Sequence, residues 1–199
     1  MYMNSKRPIP SDREVDWNKN KILLSKTDSS GTILYANEDF IDVSGYDEFE
    51  LIGQPHNIVR HPDMPKVIFK LMWDSIEYNE NSHVIIKNMA KTGRYYWVVT
   101  DFKIVNESTG ENLGYFCTQK QVPVTVVEKF IEPLYKKLVQ IEEVNGIAAS
   151  EDYLTGFLEE RNRTFMNYVD NLIATGKDEK NKAGKGIFSG LFEKKNSKK

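Results

Sequence analysis

Residues 53–65 concentrate the side chains of this chain that could bind a ligand, and they read Gly-Gln-Pro-His-Asn-Ile-Val-Arg-His-Pro-Asp-Met-Pro. Two histidines, an arginine and an aspartate stand here among three prolines. Because proline fixes φ and restricts the residue before it, Arg60, His61 and Asp63 are expected on a stiffened backbone. Two interpretations stay open: a segment that holds a ligand in fixed geometry, or a tight turn whose charged groups pair with one another.

The elements that must position this segment are predicted from the hydrophobic pattern and the turn signals. Asn37 is placed to cap a short helix, residues 47–52 form one helical turn, and residues 64–77 carry apolar side chains at helical spacing. A capping-box pattern at residues 11–14 predicts a short N-terminal helix. Five strands are predicted, at residues 21–27, 32–36, 83–90, 95–105 and 113–122.

The order of these elements, β-β-α-α-α-β-β-β, predicts an α+β domain: a five-stranded antiparallel sheet with short helices on one face. After Pro123 the pattern becomes helical, with a kink or break expected at Pro133 and an end at Gly146. A second apolar stripe, from Leu154 to Ile173, is interrupted by Arg161. The chain is therefore divided into an N-terminal cap at 1–19, a sheet domain at 20–122, C-terminal helices at 123–175 and a basic flexible tail at 176–199.

The amino-acid composition indicates the cellular compartment and the kinds of partner that are expected. The formal net charge of −2 gives no nucleic-acid signature, and the single cysteine, Cys117, suits a reducing compartment. No apolar run reaches the roughly 18–20 residues of a membrane span, so a soluble cytoplasmic protein is expected. Residues 176–199 hold eight lysines and three acidic residues, with apolar side chains at 186–192. Three interpretations of this tail stay open: a solubilising end, peripheral contact with the inner face of an anionic membrane, or docking in a partner groove.

The strand order, the segment at 37–40 and the hairpin that carries Lys91, Gly93 and Trp97 together resemble a PAS domain. The match extends to the PAS sensors of aerotaxis receptors and to the stand-alone CetB-type PAS proteins of bipartite energy-taxis systems. It covers roughly residues 10–122, and residues 123–199 carry no comparable match. The motifs behind it lie at residues 43–46, 53–57, 59–65, 72–73, 87–88 and 96–97.

This resemblance implies a sensor that holds FAD without a covalent bond and reports the redox state of the flavin, which cellular electron flow sets. Arg60 is then expected to pair with phosphate or with Asp63, and His61 to hydrogen-bond at the isoalloxazine edge. Asn88 is expected to read a ring carbonyl and N–H together, since an amide carries both kinds of group. The cofactor-facing residues that the resemblance implies are Asn37, Arg60, His61, Asp63 and Asn88.

One position departs from the family. Where the aerotaxis sensors carry a tryptophan just before the third strand, this chain has Ser82, followed by His83. Tyr78, Tyr95 or Phe102 could supply the missing aromatic surface; without one, a weakly held flavin, another ligand or an empty pocket is expected. His83 and His61 also raise the alternative of a haem-binding gas sensor, because some PAS sensors ligate haem through a histidine.

The remaining chemically distinctive side chains have structural interpretations. His56 is predicted to be structural, and Trp73 and Trp97 are predicted to belong to the core. Cys117 falls in the last strand and is predicted to be a small buried hydrophobe, not the adduct-forming cysteine of photosensing domains.

An enzyme is not expected, because no nucleophile with a base and no metal-ligand set is recognisable. No output domain is recognisable either, so a sensor would signal by contact. The expected receiver is a membrane-bound chemotaxis signalling protein, with the helices after Pro123 as transmitter or dimerisation surface. A homodimer is expected because PAS domains commonly pair, and a cofactor-free PAS interaction module is the third alternative.

Overall fold

A single antiparallel sheet forms the centre of the molecule. The computed structural model describes residues 7–77, 82–106 and 112–179. The strands are β1 (Leu23–Thr27), β2 (Ile33–Ala36), β3 (Ser82–Met89), β4 (Tyr95–Asn106) and β5 (Asn112–Gln121). They are ordered β2-β1-β5-β4-β3, and each pair of neighbours is antiparallel. The predicted fold class is therefore confirmed.

The helices of the described part lie between β2 and β3 and after β5. Asn37 caps the first of them as predicted, since its side-chain oxygen accepts the N–H of Phe40 at 3.0 Å. The third begins at Lys66 and not at Met64, because Pro65 disfavours helical geometry in the residue before it. The helices are α1 (Glu38–Ser44), α2 (Glu48–Leu51), α3 (Lys66–Glu77), α4 (Val124–Val126), α5 (Glu132–Glu159) and α6 (Phe165–Thr175), with a 3₁₀ turn at His56–Val59.

The two faces of the sheet have different coverings, because successive side chains of a strand point to opposite faces. The inner face looks towards α1 and α3. On the outer face, the C-terminal helices cover β3 and the adjacent part of β4. There the Tyr135 hydroxyl donates to the Ile85 carbonyl at 2.7 Å, and the Tyr135 ring lies 6.0 Å from Trp97. Trp97 is buried, as predicted.

Residues 53–61 pair with both edge strands of the sheet. At the β2 edge, the N–H of Gly53 donates to the carbonyl of Ile33, whose own N–H donates to Gln54. At the β3 edge, Arg60 forms an antiparallel bridge with Asn88. The outward backbone groups of both edges are thus partly satisfied by one segment.

The predicted disturbance at Pro133 takes the form of a π-helical turn, Val127–Ile131, just before α5. Pro133, which has no N–H to donate, lies just after this turn, and the N–H of Glu132 donates to the Val127 carbonyl five residues back. At Gly146 (φ 85°, ψ 176°) the chain leaves the helical conformation and reverses, so that the Ser150 hydroxyl donates to the Leu138 carbonyl at 3.4 Å. Residues 132–159 therefore form two antiparallel arms, called the C-terminal hairpin below.

Arg161 does more than interrupt an apolar stripe. It is 5% exposed, its guanidinium donates to both carboxylate oxygens of Asp178 at 2.8 and 2.7 Å, and it lies 3.5 Å from the centre of the Phe157 ring. These contacts fix the turn between the C-terminal hairpin and α6.

The helix predicted at residues 11–14 is wrong. That segment is extended and lies beside the start of β4: the N–H of Val15 donates to Tyr95, the N–H of Tyr95 donates to Arg13, and the N–H of Ser11 donates to Gly93. Ladder hydrogen bonds satisfy the backbone here, so no helix cap is needed.

Three sequence predictions concern residues outside the described ranges. They are the aromatic role of Tyr78, the flexible tail beyond Glu179 and the membrane-contacting segment at 186–192. Within the described ranges, no helix has the length and apolar character needed to cross a membrane.

Candidate functional site

A cavity of about 230 Å³ lies between α3 and the inner face of the sheet. Its volume is slightly below the range of roughly 300–1,000 Å³ for drug-sized ligands. Its walls are mostly apolar, with a few polar groups. The lining residues include Thr27, His56, Asn57, Arg60, Phe69, Met72, Trp73, Ile86, Asn88, Phe102, Tyr115, Cys117 and Gln119.

Two buried amides face each other across the floor of the cavity. Asn88 comes from β3 and Gln119 from β5, and both lie on the inner face of the sheet. The Asn88 amide donates to the Gln119 side-chain oxygen at 3.3 Å. An amide has more donor and acceptor positions than this contact uses, so the pair can present hydrogen-bonding groups to a ligand.

Arg60 reaches the cavity from the segment after the 3₁₀ turn. Its guanidinium lies 4.0 Å from the centre of the Phe69 ring and donates to the Met64 carbonyl at 3.4 Å. Burial, and then the nearby Arg7 guanidinium, lower the pKa of Arg60. Among the described residues Arg60 forms no ion pair, so its charge is available for an anionic group.

His56 also lines the cavity. Its Nε2 is 2.9 Å from the Ser25 hydroxyl, and its ring meets Phe40 edge-on. Burial lowers the pKa of His56 to about 4. The imidazole is therefore neutral at physiological pH, and the Ser25 contact supports the predicted structural role.

Thr27 and Cys117 add two small polar groups to the wall. The Thr27 hydroxyl is buried and has no hydrogen-bond partner in the described part of the chain. An unpartnered buried hydroxyl is costly, so its presence beside a cavity indicates a site for a ligand atom or a water molecule. Burial raises the pKa of the Cys117 thiol to about 12, which keeps it protonated; the residue is 1% exposed, as predicted.

Three of the predicted ligand residues do not line the cavity. Asn37 uses its amide on the backbone: its oxygen accepts from the N–H groups of Leu24 and Phe40, and its nitrogen donates to Ile22. His61 and Asp63 lie at the β3 edge, towards the outer face of the sheet. Of the five predicted residues, only Arg60 and Asn88 meet at the cavity.

His61 and Asp63 form a separate cluster with Lys87. The Lys87 ammonium donates to Asp63 at 2.7 Å, and the N–H of Asp63 donates to His61 Nδ1 at 3.1 Å. Burial opposes ionisation of Asp63, but the hydrogen bond and the charge of Lys87, with smaller contributions from His61 and Lys136, together lower the pKa of that carboxyl. The expected alternative pairing of Asp63 with Arg60 does not form, because Asp63 turns to Lys87.

The two histidines proposed as haem ligands point away from the cavity. His83 lies on the outer face, where it pairs with Asp101 of β4 and, at 3.3 Å, with Asp170 of α6. His61 is buried in the cluster described above. His56 is the one histidine among the lining residues.

Gln119 and Trp73 are two of the lining residues that were not predicted, although the sequence carried a signal for each. Gln119 follows Cys117 by two positions on a strand, so both share a face. Trp73 was predicted to lie in the core, and this is wrong: it is 45% exposed, lines the cavity and packs edge-on against Tyr115 with ring centres 5.6 Å apart. Its position four residues after Phe69 places both rings on one side of α3.

The C-terminal hairpin holds the helix that walls the cavity. The Glu142 carboxylate accepts the N–H groups of Lys66 and Val67, both at 2.8 Å, and so caps the N-terminus of α3. One turn further along, Lys70 donates to Glu151 at 2.7 Å. A displacement of α3 would therefore move or break its contacts with both arms of the C-terminal hairpin.

Acid is expected to destabilise the fold through the histidines. Burial lowers the pKa of His56 and of His61 to about 4, below the ordinary value of about 6.5, so the unfolded chain takes up protons first as pH falls. Their stabilising contribution is complete above about pH 6.5 and declines towards pH 4, by at most about 1.4 kcal/mol per pH unit for each histidine. Urea unfolding of the wild type and His56→Gln between pH 7.5 and 5 measures it: the variant should show a shallower slope, and equal slopes would contradict the prediction.

Comparisons with known proteins agree with the fold. The family model described as "PAS fold" matches residues 33–118. The aerotaxis receptor of Escherichia coli (strain K12) is 38% identical over 135 residues, which are 67% of this chain and 26% of the receptor. The nitrogen fixation regulatory protein of Klebsiella pneumoniae is 27% identical over 104 residues, which are 52% of this chain and 21% of that protein. The chain thus spans about a quarter or less of the length of these relatives.

Solved structures give the same architecture. A light-oxygen-voltage domain studied with a flavin analogue has a TM-score of 0.50 and 19% identity, covering 56% of this chain and 84% of that one. The dark structure of the blue-light photoreceptor Aureochrome1 LOV also has a TM-score of 0.50 and 19% identity, covering 56% of this chain and 83% of that one. At this identity the likeness is one of fold alone.

Proposed function

This chain contains a PAS domain, and from that premise we propose that it is a sensor of redox state or oxygen-linked energy status which holds FAD non-covalently in the cavity. The observation that carries the proposal is the arrangement of the cavity wall. Two facing amides, Asn88 and Gln119, surround a space between aromatic side chains, together with Arg60 and the Thr27 hydroxyl, for which the described part of the chain supplies no ion pair and no hydrogen bond respectively.

The lining residues fit a flavin. Its ring system needs flat apolar surfaces and in-plane hydrogen-bonding groups at one edge. Phe69, Trp73 and Phe102 provide aromatic surface on opposite sides, from α3 and from β4. Phe102 thereby takes the role left open by Ser82, whereas Tyr95 packs against His61 on the outer side.

Each polar residue has a distinct task in this proposal. Asn88 and Gln119 would orient the ring by donating and accepting hydrogen bonds at its polar edge. Arg60 would hold the anionic phosphate portion, since the cavity is too small to enclose a dinucleotide and the Arg60 side chain at its wall is only partly buried. Bound flavin would supply the redox chemistry, and the protein would supply position and charge.

The signal would leave by contact and not by catalysis. Residues of α3 line the cavity, and Glu142 and Glu151 tie α3 to the C-terminal hairpin. A change in the hydrogen bonding of the cavity would shift the position of α3 and with it the hairpin. The receiver in this proposal is a membrane-bound chemotaxis transducer met from the cytoplasm, with a homodimer as the expected signalling unit.

The haem alternative has less support, because His61 and His83 both face away from the cavity and His56 is hydrogen-bonded to Ser25. A cofactor-free interaction module remains the second candidate, and the small cavity volume favours it.

The absorbance spectrum of protein purified under native conditions tests the proposal. A flavin gives paired bands near about 375 and 450 nm, whereas haem gives a sharp Soret band. We expect Asn88→Ala and Arg60→Gln to lower the affinity for added FAD by about tenfold or more, since each removes hydrogen bonds of roughly 1–3 kcal/mol. Riboflavin, which lacks phosphate, should lose affinity in Asn88→Ala but not in Arg60→Gln.

Arg13→Gln is the matched control, because Arg13 is an exposed arginine that does not line the cavity. It should leave both affinities unchanged. A colourless protein that binds neither FAD nor riboflavin would refute the proposal and leave the interaction module.

A further inference from the structure

A row of alternating lysine and aromatic side chains crosses the outer face of the sheet. The strand registers place Lys103 of β4 opposite Phe116 of β5, Phe116 opposite Lys26 of β1, and Lys26 opposite Tyr35 of β2. Residues directly opposite one another share a face. Four strands therefore contribute one side chain each to this row, called the lysine–aromatic row below.

The row lies on the part of the outer face that the C-terminal helices leave open. Those helices pack against β3 and the neighbouring part of β4, through Tyr135 on Ile85 and Asp170 beside His83. In the row, both lysines are exposed, Tyr35 is 47% exposed and Phe116 is partly exposed. Exposed aromatic side chains on an open sheet face indicate an interaction surface, and the flanking lysines determine the charge of the partner that it favours.

The charge of the row is not neutralised within the described part of the chain. Neither Lys26 nor Lys103 forms an ion pair with a described residue. The two lysines stand two strands apart, which at about 4.8 Å per strand separates them by roughly 10 Å. In an α-helix, residues i and i+7 lie on one face and are also about 10.5 Å apart.

We propose that the lysine–aromatic row docks an acidic amphipathic segment of a partner protein, in which two carboxylates about seven residues apart flank an apolar side chain. The carboxylates meet Lys26 and Lys103, and the apolar side chain covers Phe116 between them. The surface is independent of whatever the cavity holds, so the inference goes beyond the proposed function.

The positive charge of the row favours an acidic partner segment over four other possible occupants: the C-terminal tail, a second copy of the chain, nucleic acid and a membrane. Residues 180–199 carry seven lysines and one acidic residue, so the tail is repelled by the row. A second copy would bring four lysines together with no carboxylate in the row to pair with them. Outside residues 176–199 the chain has a net charge of −7, from −2 overall and +5 in the tail, which disfavours nucleic acid. The aromatic side chains lie on a sheet face and not on an amphipathic helix, the element that typically inserts at a membrane interface, which disfavours a bilayer as the occupant.

The test uses the full chain and a fluorescent helical peptide with Glu at positions i and i+7 and Leu at i+3 and i+4, followed by fluorescence polarisation. A second peptide carries Lys in place of both Glu residues. We expect saturable binding of the Glu peptide only. The double variant Lys26→Glu and Lys103→Glu should lose affinity for it by about tenfold or more and should gain binding of the Lys peptide.

Lys129→Glu with Lys137→Glu is the matched control, since it makes the same charge change at exposed helical lysines and should alter affinity by less than about twofold. Hydrogen exchange should show protection by the peptide at residues 24–26, 34–35, 101–103 and 116–118. Failure of the Glu peptide to bind, or equal binding by both double variants, overturns the proposal. The proposal is also overturned if the Lys26→Glu and Lys103→Glu double variant abolishes a different kind of binding. The three alternatives to measure are dimerisation, binding to vesicles of equimolar phosphatidylcholine and phosphatidylserine, and binding to an oligothymidine strand.

Discussion

A chain cut after Val122 is expected to lose cooperative folding, although it keeps every residue that the family model matches. The cut removes the helices that bury Ile85, Trp97 and Val99 on the outer face of the sheet, where none of the three is more than 8% exposed. Returning three such side chains to water costs roughly 1.5–3 kcal/mol each. That sum is comparable with the entire stability of a typical domain, about 5–15 kcal/mol. Urea denaturation followed by circular dichroism, together with the soluble fraction after expression, measures the effect.

The matched control is a chain cut after Glu179, which keeps the Arg161–Asp178 pair and the C-terminal hairpin. It should unfold at nearly the same urea concentration as the full chain. A fragment of residues 1–122 that unfolds in one cooperative step with an unchanged midpoint would show that the helices are an appendage and not part of the fold.

Gly114→Ala is expected to destabilise the protein by about 3 kcal/mol or more, because backbone strain of roughly 1–3 kcal/mol adds to overpacking of similar size. Gly114 has φ +144°, and a Cβ at this position would lie 2.0 Å from the Thr27 carbonyl oxygen and 2.9 Å from Asp28 Cα. The neighbouring backbone cannot yield without breaking the pairing of β1 with β5. The free energy of unfolding in urea is the measurement.

Gly31→Ala separates the two causes. Gly31 also has a positive φ, +85°, but a Cβ there has no atom within 4 Å. It should cost only the conformational strain, about 1–2 kcal/mol. Equal losses in the two variants would mean that the contact with Thr27 is relieved by movement of the strands.

Much of the fold was predictable because its signals are local. The Asn37 cap, the helical turn at 47–52 and the five strands depend on residues adjacent in sequence, and the structure confirms them within one to two residues. The N-terminal segment failed because the capping-box pattern at 11–14 competes with hydrogen bonds to Tyr95 and Gly93, about 80 residues away. No local pattern could show that competition.

The candidate site was less predictable for the same reason. Arg60, His61 and Asp63 are neighbours in the chain, yet the segment straddles the β3 edge, so Arg60 reaches the cavity while the other two pair with Lys87. Asn88 and Lys87 follow the simple alternation of a strand and go to opposite faces. The face on which a strand residue lies could thus be predicted from its odd or even position along the strand. The direction of a side chain in the loop could be predicted only from the complete fold.

Because residues 53–61 pair with both edge strands, this segment and the sheet together form a closed ring of backbone around the cavity. The circumference of this closed ring is fixed by the number of residues in it. The sheet therefore cannot widen for a larger ligand without breaking the pairing at Ile33 or at Asn88. Phe69, Met72 and Trp73 of α3 line the cavity, and α3 is not part of this closed ring. If the cavity holds the proposed cofactor, adjustment to its size would therefore move α3, and the Glu142 contacts would pass that movement to the C-terminal hairpin.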